Sequence, residues 1–114
     1  MSAPTPSSAD PILALREEFR AHLEAFYAGL KLAPPYESVE KGIRVLTTTL
    51  HAMPAHQQMQ IAADPVLKWN QFAQAFRTSG LSKKHRGIIA GLARNRNSLD
   101  LPVQYDQFLA QFMA

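Results

Sequence analysis

Apolar residues recur along the first third of the chain at the three- and four-residue spacing of a helix. The first stripe consists of Ile12, Leu15, Phe19, Leu23, Phe26 and Leu30. Asp10 stands directly before Pro11, and this pair favours a helix start because the carboxylate accepts a backbone N–H bond and proline has no donor to lose. We predict a first helix from Asp10 to about Lys31, ended by Pro34 and Pro35.

Residues 37–53 repeat the pattern and predict a second helix. Its stripe consists of Val39, Ile43, Leu46, Leu50 and Met53. The segment 43–50 is rich in β-branched residues, so a strand is the alternative, but the sustained helical period favours a helix. Pro54 ends it. Residues 55–63 then predict a short third helix with Met59 and Ala63 facing inward.

A second start signal, Asp64 before Pro65, precedes an aromatic stripe and predicts a fourth helix. The stripe consists of Val66, Trp69, Phe72, Ala73 and Phe76. Gly80 fits the position just after the helix end, and Ser82 is a candidate cap for a fifth helix over residues 83–94. Because this connection is very short, we expect the fourth and fifth helices to pack closely.

Asp100 is a candidate cap for a sixth helix, whose stripe ends the chain. That stripe consists of Leu101, Tyr105, Phe108 and Phe112. The fold class predicted from these patterns is all-α, a compact single-domain bundle of five to six short helices. We assign residues 10–114 to this domain and predict that residues 1–9, which are small, polar and proline-broken, form a disordered leader.

The composition excludes several classes of protein. With 114 residues the chain suits one domain, and with no cysteine it has neither disulfides nor thiolate metal sites. No secretory signal or membrane-spanning run is apparent, so we predict a cytoplasmic protein without a membrane partner.

The chain has a net charge of +3, and its charged residues are unevenly distributed along the sequence. Residues 1–64 carry five basic and seven acidic residues, residues 65–99 carry seven basic and no acidic residues, and residues 100–114 carry two acidic residues. The central basic stretch contains the candidate contacts for an anion or nucleic acid, which are Lys83, Lys84, Arg86, Arg94 and Arg96.

Cations at a helix start oppose the helix dipole, and a bound phosphate, sulfate or carboxylate offsets that cost. The alternative for Lys83, Lys84 and Arg86 is a solvated turn that aids solubility. A DNA-reading helix-turn-helix fits residues 72–91 poorly, because Phe76 and Arg86 stand where a small residue and an apolar residue are expected. Sequence-independent contact with nucleic acid is therefore favoured over specific reading.

Other motifs predict no chemistry. Gly87 and Gly91 form GxxxG, which in this polar context predicts close packing against a neighbour such as Trp69 or Phe76, with a partner site as the alternative. His51 and His56 flank Pro54 without a third ligand. We predict no metal, no cofactor and no catalytic residue, and hence that the protein is not an enzyme.

Surplus apolar residues suggest a surface for another protein. The candidate interface consists of Leu13, Tyr27, Phe108, Leu109, Phe112 and Met113. The first functional hypothesis is a small regulatory or adaptor protein that acts by protein-protein binding, as a homodimer. The alternative is a nucleic-acid or anion-binding module that uses the basic helix 83–96.

In size and helical style only, the chain resembles the small bacterial antiactivators that bind quorum-sensing transcription factors. That resemblance implies inhibition of a transcription factor by occlusion of its dimer surface or its DNA-binding surface.

Overall fold

Six α-helices and three short 3-10 turns make up the regular structure of residues 10–113, which are the residues that the computed structural model describes. The helices are α1 (Pro11–Gly29), α2 (Tyr36–His51), α3 (Ala55–Ala63), α4 (Pro65–Thr78), α5 (Arg86–Arg94) and α6 (Asp106–Met113). The 3-10 turns are Leu81–Lys83, Arg96–Ser98 and Val103–Tyr105. Within the described range there is no strand, so the all-α prediction is confirmed and the strand alternative for residues 43–50 is wrong.

The start signals act as predicted. Asp10 accepts bonds from the N–H groups of Ile12 (3.0 Å) and Leu13 (3.4 Å), and Asp64 repeats this at α4 with Val66 (2.9 Å). Each carboxylate satisfies donors that would otherwise lack a partner in the first turn. The predicted leader, residues 1–9, lies outside the described residues.

The core is one cluster shared by all six helices. The α1 stripe is buried throughout, and α2 packs against both α1 and α4. Aromatic rings join α1, α4 and α6: Phe19 stacks on Phe72 with centroids 5.1 Å apart, and Phe76 stacks on Phe108 at 4.6 Å. Such ring pairs add to the stabilisation that burial of their area provides.

Some predictions of inward-facing residues in α3 and α4 were wrong. In α3 the buried residue is Ile61, whereas Met59 is 64% exposed and Ala63 is also exposed. In α4, Val66 of the first turn is 67% exposed and Trp69 is half-buried.

The predicted first residues of two helices were also wrong. Helix α5 begins at Arg86 and not at Lys83, because Ser82 is buried within a 3-10 turn and His85 precedes the helix without a side-chain cap. Helix α6 begins at Asp106 and not after Asp100, since the 3-10 turn Val103–Tyr105 occupies part of the intervening chain. Helix α5 packs chiefly against α6, so the expected close packing on α4 is not found.

Candidate anion-binding groove

A groove of about 650 Å³ opens between the first half of α2, the end of α4 and the turn that follows α4. We call it the basic groove. Its lining residues are Glu37, Ser38, Lys41, Arg44, Arg77, Thr78, Ser79, Gly80, Lys83 and Lys84.

The turn after α4 packs against α2. Gly80 has a φ of 85°, a left-handed conformation that glycine adopts without strain. The Ser79 hydroxyl donates to the carbonyl of Phe76 (2.9 Å), and Leu81 is fully buried. A Cβ added at Gly42 of α2 would lie 3.3 Å from Leu81, so that glycine permits the close approach of the turn. This packing fixes the backbone that carries Lys83 and Lys84.

Five of the lining side chains are cationic and one is acidic. The cations are Lys41, Arg44, Arg77, Lys83 and Lys84, and the acid is Glu37. Within residues 10–113 the ion pairs join other groups, so none of these five cations is neutralised by a paired carboxylate. Glu37 in the lining and Glu40, whose pKa Arg44 helps to lower, offset only part of this charge. Cations outnumber acids in the groove, and the local potential therefore favours an anion.

Two adjoining recesses lengthen the groove along α2 and α4. One shares Lys41 and Arg44 with the basic groove and continues to Thr48 and Thr49. The other shares Thr78 with it and contains residues of α4. From Lys41 to Thr49 the helix rises about 12 Å, so the combined surface is elongated.

The structure divides the five predicted anion contacts. Lys83 and Lys84 line the basic groove, although from a 3-10 turn and not from a helix start. Arg86 and Arg94 are exposed on α5 and do not line this groove.

Arg96 contributes to the fold. Its guanidinium binds the Asp106 carboxylate and donates to the carbonyls of Leu101 (2.7 Å) and Pro102 (3.1 Å). These bonds hold the 3-10 segment to the start of α6. The Nε and Nη2 atoms of Arg96 are therefore engaged within the chain. Arg94 and Arg96 also line a separate recess formed by residues 94–98, so an anion contact at Arg96 stays a prediction.

Sequence reasoning missed Lys41, Arg44 and Arg77 as members of the site. Lys41 and Arg44 are three residues apart on the side of α2 opposite its buried stripe, a spacing that resembles any solvated helix face. Only the packing of α2 against α4 brings them beside Lys83 and Lys84. The local sequence contains no signal for this convergence.

Four of the predicted interface residues are buried within the chain, and their surface prediction is wrong. These are Tyr27, Phe108, Leu109 and Phe112, each at most 4% exposed. They complete the contacts among α1, α4 and α6. Leu13 is half-buried, and Met113 remains 51% exposed.

Tyr27 is fully buried and has an unusual environment. Among the described residues its hydroxyl has no hydrogen-bond partner, and burial raises the pKa of the phenol. The side chain is therefore a core residue with an incompletely satisfied polar atom.

The two glycines of α5 do not mediate internal packing. A Cβ added at Gly87 or Gly91 would meet nothing within 4 Å, so neither Trp69 nor Phe76 requires their small size. Ile88 on the same helix is 55% exposed. The outer face of α5 is open, and the prediction of close internal contact at GxxxG is wrong.

His22 lies among aromatic rings beside the start of α4. Its ring centroid is 4.7 Å from that of Trp69, its Nδ1 is 3.0 Å from the hydroxyl of Tyr105, and its Nε2 is 3.7 Å from the Glu18 carboxylate. Burial lowers the pKa of His22, while Glu18 acts in the opposite direction. Within residues 10–113 no three His, Asp or Glu side chains group as metal ligands do.

Comparison with protein-family models, with curated proteins and with solved structures found no match to this chain. No helix in the described range combines the length and apolar character needed to cross a bilayer. The functional argument therefore rests on the groove itself.

Proposed function

We propose that the protein is a binding module for nucleic acid and that the basic groove contacts the phosphate backbone. The observation that carries this proposal is the convergence of five cations without a paired carboxylate on one groove. Cations that neutralise phosphates release condensed counterions, which drives sequence-independent binding.

The length and chemistry of the groove support a polymer over a small acid. The cations at one end adjoin a strip with the uncharged donors Thr48, Thr49, Gln71 and Gln74. Such donors bind phosphate and sugar oxygens. Among the described residues, those that line the basic groove include no aromatic ring, which favours contacts to the backbone over base stacking.

A charge reversal in the groove, paired with a charge reversal outside it, tests the proposal. Fluorescence anisotropy of labelled 20-base single strands and duplexes, measured from about 50 to 200 mM salt, provides the affinity. We expect Lys84→Glu to weaken binding about fivefold to tenfold and to reduce the slope of log affinity against log salt by about one. Arg94→Glu, with the same charge change on α5, should weaken binding less than about twofold.

Equal losses in the two variants would contradict the groove as the contact surface. Wild-type binding that is undetectable at about 50 mM salt would contradict the nucleic-acid function altogether. Circular dichroism of both variants checks that the helices are retained.

The open face of α5 favours a second candidate, a regulatory or adaptor protein that binds another protein. Ile88 is 55% exposed, and Gly87 and Gly91 leave room for a close approach by a partner helix. The antiactivator resemblance supports a transcription factor as that partner, and a second copy of the chain is the alternative occupant.

Light scattering of the wild type and of Ile88→Asp distinguishes these outcomes. A dimer that the substitution dissociates supports self-association. A monomer in both samples removes the homodimer, and failure of the wild type to retain a protein partner from its native cell removes the adaptor.

A further inference from the structure

The first turn of α2 presents backbone donors to the basic groove. Its preceding residue, Pro35, provides no side-chain cap. Among the described residues, the N–H groups of Glu37 and Ser38 have no acceptor, and the first bonded N–H is that of Val39, which donates to Pro35. The N–H groups of a first helical turn and the helix dipole together favour an anion.

Ser38 adds a side-chain donor to these backbone groups. The residue as a whole is 8% exposed and lines the groove, and its hydroxyl has no hydrogen-bond partner within residues 10–113. The buried unpaired side-chain atoms of the described residues are those of Arg16 and Tyr27, so the Ser38 oxygen is accessible from the groove. This hydroxyl is held in place by a largely buried residue and can donate to a bound acceptor.

Cations from two elements lie around this turn. Lys41 follows Ser38 by three residues on α2, and Lys83 and Lys84 lie across the groove. Glu37, the single acid of the lining, is exposed. Two N–H groups, a hydroxyl and three ammonium groups offer more donors than the two oxygens of a carboxylate can accept, and they suit the several oxygens of a phosphate.

We propose that the first turn of α2 is a seat for one phosphate group, bound by the N–H groups of Glu37 and Ser38, the Ser38 hydroxyl and the ammonium groups around them. The seat rests on the proposed function, because the polyanion in the groove supplies the phosphate. Two sources share this chemistry: an internal phosphodiester and a terminal phosphate monoester.

Inorganic phosphate is the direct probe. In ¹H–¹⁵N spectra at constant ionic strength, replacement of chloride by phosphate should shift the amide resonances of Glu37 and Ser38 more than those of the other helix starts. Ser38→Asp places a carboxylate in the seat and should abolish these shifts. Gln60→Glu, with the same charge change at an exposed position of α3 outside the groove, should preserve them.

Oligonucleotides distinguish the source of the phosphate. We expect Ser38→Ala, which removes only the hydroxyl, to weaken oligonucleotide binding about threefold to tenfold. A monoester source predicts that this loss appears only with strands that carry a 5′-phosphate, whereas an internal phosphodiester predicts the same loss with and without it.

The proposed phosphate site is contradicted if phosphate does not shift the amide resonances of Glu37 and Ser38. It is also contradicted if phosphate shifts the amide resonances of the Ser38→Asp variant as much as those of the wild type. The same samples test the broader function separately. Oligonucleotide binding that Lys84→Glu weakens but both Ser38 variants leave unchanged would retain the groove and remove the seat.

Discussion

Helix α4 has two faces that serve different purposes. One face carries Phe72 and Phe76, both fully buried among the rings of α1 and α6. The other carries Gln74, Arg77 and Thr78 to the grooves against α2. The two faces differ in their exposure to water although they belong to one continuous helix.

The difference shows how the chain keeps like charges together without losing its fold. Burial of the aromatic face fixes the position of α4, because each buried aromatic side chain contributes several kcal/mol in all. The repulsion between neighbouring cations that are exposed to water is much smaller than this stabilisation, because water screens the charges. Burial in the core can therefore offset the repulsion between Arg77 and the cations of α2 and of the turn. An anion bound among these cations would be attracted by all of them.

The largest expected effect separates the two faces directly. Phe76→Ala should lower the free energy of unfolding by about 3–5 kcal/mol, because it leaves a cavity between Phe26 and Phe108. Arg77→Ala should change it by less than about 0.5 kcal/mol. Urea denaturation followed by circular dichroism measures both free energies. If Arg77→Ala lowered the free energy of unfolding as much as Phe76→Ala does, the two faces of α4 would not differ in their contribution to stability.

A smaller effect distinguishes basic residues of the fold from those of the groove. Arg96→Ala should lower the free energy of unfolding by about 1–3 kcal/mol, because the carbonyls of Leu101 and Pro102 and the Asp106 carboxylate lose a charged donor. Arg94→Ala is the matched control and should cost less than about 0.5 kcal/mol. Oligonucleotide affinity should be unchanged in both, and a loss specific to Arg96→Ala in a folded protein would return this residue to the contact surface.

The smallest expected effect is the dependence of stability on pH through His22, which lies among the aromatic rings. Burial lowers the pKa of His22, with Lys68 adding to the effect and Glu18 opposing it. As the pH falls below about 6.5, the unfolded chain takes up this proton before the folded chain does. The stability from His22 is thus complete above that pH and is lost as the pH falls through the lower folded pKa.

Urea midpoints measured between about pH 7.5 and pH 5.5 test this sign. The wild type should lose more stability on acidification than His22→Gln does, and only the difference between their slopes is compared, because the other histidines are common to both. Parallel slopes would show that His22 does not couple protonation to folding.

Much of the fold followed from local pattern. The Asp10 and Asp64 start signals act through bonds to the next two or three residues, so they do not depend on distant chain. The α1 stripe was correct at every position, because a long helix with one apolar face has one face to bury. The region from Ser82 to Asp100 was predicted less well, since 3-10 turns interrupt it and depend on contacts such as those of Leu81 and Arg96.

The candidate site was predicted only in part. Lys83 and Lys84 stood out as a local run of charge, whereas Lys41, Arg44 and Arg77 looked like ordinary surface cations. The predicted apolar interface was largely wrong because excess apolar residues in a sequence do not reveal which of them a short terminal helix will bury. Phe108 and Phe112 are covered by Phe26 and Phe76 from two other helices.

The sequence by itself determined that the chain is helical, where α1, α2, α3 and α4 begin to within a residue, and which stripes of α1 and α2 are apolar, because period, capping and proline act over a few residues. Only the tertiary structure decided that Lys41, Arg44 and Arg77 join Lys83 and Lys84, and that Arg96 turns toward Asp106. Convergence of charge depends on how helices pack, and that packing is set by burial across residues far apart in the chain.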